Sequence, residues 1–143
     1  MSYALREHTA DVAVEATAPT LAALFEAVAD GLTAASCEAV PGGGERFEFT
    51  VSAESREALL FDYLDQLIYE RDVRLVLPAD HRCAVSGSDG AGGDEGAAWT
   101  AEATARGVPL DAVAAREIKA VTYSEMTLER RDGEWYAYVV FDV

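Results

Sequence analysis

The 143 residues suit a single domain spanning 1–143, and with half of them hydrophobic the chain can build a core without a disulfide or a structural metal. A formal net charge of −15 sets a mean field that repels phosphate, which argues against bare nucleic acid and anionic membrane as direct strong partners. Lys119 is the only lysine among the 11 Lys and Arg residues. Such an acidic, lysine-poor, alanine-rich chain fits a salt-rich cytoplasm, where a Debye length of roughly 3 Å at molar salt removes surface repulsion. A GC-rich genome gives the same composition, and both readings stay open. Cys37 and Cys83 form no CxxC pair and read as buried thiols acting as small hydrophobes. The N-terminal stretch lacks the apolar centre of a signal peptide, and no run reaches membrane-span length, so a reduced cytoplasm is expected.

In chain order, Tyr3 to Glu7 and Val12 to Ala16 predict two short strands around the tight stretch His8-Thr9-Ala10-Asp11. Pro19-Thr20 opens a helix whose Leu21, Leu24, Phe25, Val28 and Leu32 make one apolar stripe, with Pro19 suited to its first turn. Pro41-Gly42-Gly43-Gly44 breaks the pattern, and Arg46 to Val51 alternates as a half-buried strand. Ser55 caps a second helix with Glu57 in its first turn. Leu59, Leu60, Tyr63, Leu64, Leu67 and Ile68 form its apolar face, with Asp62, Asp65, Gln66 and Glu70 on the other side. Leu75 to Leu77 is a short extended run closed by Pro78. Strands at Arg82 to Ser86 and Ala98 to Thr104 flank a Gly-rich hairpin loop, and a loop region runs through Val108-Pro109-Leu110. The final strands, Ile118 to Leu128 and Trp135 to Phe141, are joined by Asp132-Gly133, a strong hairpin signal. The expected class is α+β, with two helices packed on an antiparallel β-sheet.

Three places could carry chemistry. His8 and Asp11 could be an acid/base pair or half of a metal site, though a simple turn with local backbone bonds accounts for the spacing equally well. Asp142, beside the final Val143, offers hard oxygen ligands of the kind Ca²⁺ or Mg²⁺ takes, or else a frayed end. Lys119 could be kept for its compact, rotatable ammonium, or be an ordinary surface lysine. His81 and Cys83, two apart on a strand, lack an orienting third group. The aromatic set Trp99, Tyr123, Trp135, Tyr136 and Tyr138 suits sheet packing better than base stacking at this charge. The chain has no GxSxG, P-loop, helix-opening GxGxxG or HExxH.

Four motifs in order resemble the archease family over nearly the whole chain: His8-Thr9-Ala10-Asp11-Val12, the Leu-rich stretch Leu59 to Tyr69, Ile118-Lys119-Ala120-Val121-Thr122-Tyr123, and Trp135 to Val143. The sequence departs from the family pattern at Arg6-Glu7, at Val108 and at Ser124, where Leu-Asp, Glu and His are more usual. The resemblance implies an accessory protein, not itself an enzyme, that activates an RtcB-type tRNA-splicing RNA ligase by promoting its guanylylation and multiple turnover. It also implies a divalent metal, Ca²⁺ for preference, held by Asp11, Asp142 and the main-chain oxygen of Val143, with His8 supporting them and Lys119 acting in activation. The alternatives are a small metal-dependent hydrolase using His8 and Asp11, or a chaperone-like binding module.

Overall fold

The structure, a computed structural model, describes residues 2–8, 11–87 and 99–143. The expected Gly-rich hairpin loop and the Thr9-Ala10 connection lie outside the described residues. Seven strands and two helices follow in the order β1 (Ser2–His8), β2 (Asp11–Ala18), α1 (Leu21–Ser36), β3 (Glu45–Ala53), α2 (Arg56–Arg74), β4 (Val76–Gly87), β5 (Trp99–Pro109), β6 (Ala120–Arg131) and β7 (Glu134–Asp142). The class is α+β as expected. The strands divide into two antiparallel sheets, ordered β1-β2-β7-β6 and β3-β5-β4.

Each helix touches both sheets, α1 meeting β1, β2, β7 and β4 while α2 meets β3, β4, β5 and β6. The helices are therefore the joint between the sheets, and α1 is buried well beyond one stripe. Leu24, Phe25 and Val28 are fully buried, and so are Ala27 and Ala29. Its small residues let strands come close. A Cβ on Gly31 would stand 2.5 Å from a methyl of Val14 in β2. Thr20, not Pro19, caps the helix, its hydroxyl accepting from the Ala23 N–H at 3.1 Å, so Pro19 lies outside the first turn. Ser55 caps α2 as expected, accepting from Ala58 N–H. Phe25 of α1, Tyr63 of α2 and Phe49 of β3 stack in sequence with centroids 5.6 and 5.9 Å apart, linking both helices to the second sheet.

Two departures have physical causes. β4 runs straight through Pro78 because it is an edge strand, where the missing N–H faces away from the ladder. A bulge between Ala79 and Arg82 then shifts its register. Leu77 and Ala79 fall in a small second cluster with Cys37 and Val108, while Cys83 and Val85 pack on the main core. Glu70, expected on the polar side of α2, is buried, held by Arg74 at 2.7 Å and by the Gln66 amide at 3.0 Å. The β6–β7 turn is as the sequence indicates: Asp132 and Gly133 both take positive φ, 52° and 81°.

A candidate metal centre where β2 meets β7

β7, the last strand in the chain, enters the first sheet between β2 and β6. Its register places Asp142 directly opposite Asp11, and Asp11 in turn opposite His8 of β1. Ala120 of β6 faces Asp142 from the other side. One end of the sheet thus carries His8, Asp11, Asp142 and Ala120 in a row across four strands. Val12, Val14 and Ala16 of β2 join the core, so the alternating Asp11 belongs to the opposite face, as does Asp142. Directly opposed residues have Cβ atoms about 4.5–5.5 Å apart, and two like charges so placed repel each other.

Asp11 Oδ1 is buried and has no hydrogen-bond partner among the described residues. An ionised oxygen removed from water without a donor is costly unless a cation meets it. Asp142 is exposed, and Val143 packs against the core. Among the described residues no group of three or more His, Cys, Asp and Glu side chains is placed to hold a metal. The two carboxylates would need main-chain oxygen and water to complete a coordination shell, a donor set that suits a hard divalent cation.

Lys119 precedes β6 with an exposed side chain, and its main-chain N–H donates to the Asp142 carbonyl at 2.8 Å. Its position depends on a residue that the sequence reading passed over. Arg71 of α2 is buried, and its guanidinium donates to the Ile118 carbonyl and to Asp72 Oδ1, with Glu117 at 3.9 Å. The signal was present: Arg71 continues the apolar face of α2 one turn beyond Leu67 and Ile68, where a charged group needs a partner. Of the residues singled out from sequence, the fold brings together Asp11, Asp142 and the main chains of His8 and Lys119, with Val143 adjoining. The His8 side chain lies outside what is described.

A second ionisable group of residues lies along α1 and β4. Glu26 Oε2 accepts the Cys83 main-chain N–H at 2.8 Å, so a helix carboxylate caps the free edge of β4. Burial and the neighbouring Glu26 and Asp80 push Asp30 up to about 6, against the lowering effect of the His81 main-chain N–H. Burial holds the His81 ring down at about 4, and its Nε2 meets the Thr33 hydroxyl at 2.7 Å. Burial together with Glu26 lifts the Cys83 thiol to about 12. That thiol lines an open groove of about 780 Å³ with Glu26, Glu48, Arg82 and Glu102. A thiol this hard to ionise, set beside Glu26, is a poor nucleophile, and the His81 ring is turned to Thr33 instead.

The model of the archease protein family (MTH1598/TM1083) matches residues 3–143. Protein archease of Pyrococcus furiosus is 31% identical over 140 residues, 96% of this chain and 95% of its own length. That of Methanosarcina mazei is 32% identical over 146 residues, 99% of this chain and 95% of its own. The solution structure of protein 1598 from Methanobacterium thermoautotrophicum superposes with a TM-score of 0.80 at 24% identity, covering 99% of this chain and 98% of that one, a likeness of fold. A crystal structure from Thermotoga maritima, described as an archease and possible chaperone, gives 0.65 at 25% identity over 96% of this chain and 94% of that one.

Proposed function

The chain belongs to the archease family, and from that premise we propose that it is a metal-binding accessory protein that activates an RtcB-type tRNA-splicing RNA ligase. The observation that carries the reading is the facing pair Asp11 and Asp142, with a buried Asp11 oxygen that no donor among the described residues satisfies. Asp11, Asp142 and the main-chain oxygen of Val143 would hold a divalent cation, Ca²⁺ for preference, since every donor is oxygen. Such a cation, when bound, would neutralise the two carboxylates and supply a fixed positive charge at this end of the sheet. The protein itself supplies the remainder: β2 and β7 hold the carboxylates opposed, and Arg71 fixes the segment that carries Lys119. From there the Lys119 ammonium would reach a phosphate or carboxylate of the ligase–nucleotide complex as a mobile point charge. The acidic surface suits this role, because a ligase that handles RNA and GTP is expected to be basic, and opposite fields speed encounter.

The deciding experiment is a guanylylation assay of the cognate ligase with and without this protein, over many turnovers. Acceleration that disappears in an Asp11→Asn, Asp142→Asn variant supports the reading. An unaccelerated ligase refutes it, and turnover of a small substrate by the protein alone would favour the hydrolase alternative.

A further inference from the structure

The outer side of α2 exposes large apolar side chains among its acidic residues. Tyr69 and Val73, one turn apart, are 56% and 59% exposed, and Leu75, just past the helix end, is 67% exposed. Phe61, about two turns back and rotated roughly 80° around the helix from Tyr69, carries the exposed Tyr123 stacked on it at 4.1 Å, nearly parallel at 4°. From Phe61 to Val73 this mixed stripe of apolar and acidic residues covers roughly 18 Å of helix at about 1.5 Å per residue. Asp62, Asp65 and Asp72 lie among these side chains, Asp65 midway between Phe61 and Tyr69.

Leu75 adds a second, independent observation. It holds the left-handed conformation that ends α2, with φ 56° and ψ 48°. That position favours Gly or Asn, and a branched, bulky side chain there is strained. Its side chain recovers little of this by burial, so folding alone gives no reason for a leucine. Strain and apolar exposure coinciding at one residue point to a use outside the monomer.

The surroundings say what kind of partner. A second copy of this chain would bring Asp62, Asp65 and Asp72 against their own counterparts at a net charge of −15 per chain, which opposes self-association. A protein presenting an apolar groove with a lysine- or arginine-rich rim would match both parts of the stripe. The stripe also lies beside the candidate centre. Arg71 grips Ile118, and Phe61 stacks on Tyr123, so segment 118–123 runs along α2 and carries Lys119, whose N–H meets Asp142. We propose that this face of α2, centred on Tyr69, Val73 and Leu75, is the docking surface for a basic-rimmed groove on the partner protein. It holds that partner so that the Asp11–Asp142 end of the sheet reaches it. Tyrosine is among the residue types that most often anchor an interface, with Val73 and Leu75 excluding water around it, and the acidic residues set its orientation.

The proposal rests on the reading that the partner is the RNA ligase, and the test separates the two. Calorimetric titration of the cognate ligase would be run with the wild type, Leu75→Gly, a Tyr69→Ser, Val73→Ser double variant, and an Asp11→Asn, Asp142→Asn variant. Leu75→Gly should melt higher than the wild type, because glycine relieves the left-handed strain, and yet bind several-fold more weakly. The double serine variant should bind at least tenfold more weakly with an unchanged melting temperature. The double asparagine variant should still bind within a few-fold while failing to activate. Wild-type binding matched by both α2 variants overturns the docking surface and leaves the activator reading standing. A wild type that does not bind the ligase at all overturns both. A concentration-dependent increase in mass that Leu75→Gly abolishes would assign the face to a second copy and overturn the proposal.

Discussion

Asp30 and His81 meet at the joint between α1 and β4, and their ionisations pull stability in opposite directions. Asp30, raised to about 6 by burial, Glu26 and Asp80, binds its proton more tightly folded than unfolded. Its contribution is therefore present in acid and lost as pH rises through about 6. His81, held near 4 by burial, binds its proton less tightly folded, so its contribution grows as pH rises from about 4 towards the ordinary imidazole value. The two should largely cancel. Asp30→Asn keeps an acceptor for the His81 N–H but removes the titration. Its melting temperature relative to the wild type should climb between pH 4 and 6.5, and a constant difference would show that Asp30 titrates normally. Lys119 belongs to the same scale. With its side chain exposed, Lys119→Ala should change stability by no more than about 0.5 kcal/mol. Ligase activation should fall roughly tenfold or more if a charge-assisted contact of about 1.5–3 kcal/mol is lost. Melting and multiple-turnover guanylylation measured side by side would decide, and full activation by the variant would remove Lys119 from the mechanism.

Among the elements, α1 and the β6–β7 hairpin each turn on one glycine for different reasons. Gly31→Ala would improve helix propensity by about 1 kcal/mol, but its methyl would stand 2.5 Å from the buried, β-branched Val14. Overpacking of this kind costs about 1–3 kcal/mol, so a net loss of up to roughly 2 kcal/mol is expected in denaturant unfolding. Gly133→Ala meets nothing within 4 Å, so its loss, about 1–2 kcal/mol, should come from the positive φ alone. Gly133→Asn should recover part of it. The hairpin was legible in the sequence because Asp-Gly fixes a turn locally, and the Ser55 cap was legible for the same reason. The division into two sheets was not, because alternation tells which residues of a strand face inward but not which strand lies alongside. The continuation of β4 through Pro78 needed the knowledge that it is an edge. The Asp11–Asp142 pairing was available only through resemblance, since register between distant strands leaves no local trace. The strained Leu75 left none either, because nothing in Arg74-Leu75-Val76 announces a positive φ.

For the molecule as a whole, a net charge of −15 on 143 residues should make the fold salt-dependent. The melting temperature should rise steeply from dilute buffer to molar KCl as the Debye length shrinks from about 30 Å to about 3 Å. A flat response would favour genome composition as the origin of the charge. The strand order carries one more consequence. β2 is made long before β7, yet they are neighbours in the middle of one sheet. A nascent chain leaving the ribosome can shape α1 and the β3-β5-β4 sheet while the edge of β2 that β7 will cover is still open. Contacts this distant in sequence are slow to form. The opposed carboxylates come together only when β7 has paired with β2, so a molecule able to offer them to a partner is one in which this sheet is already assembled.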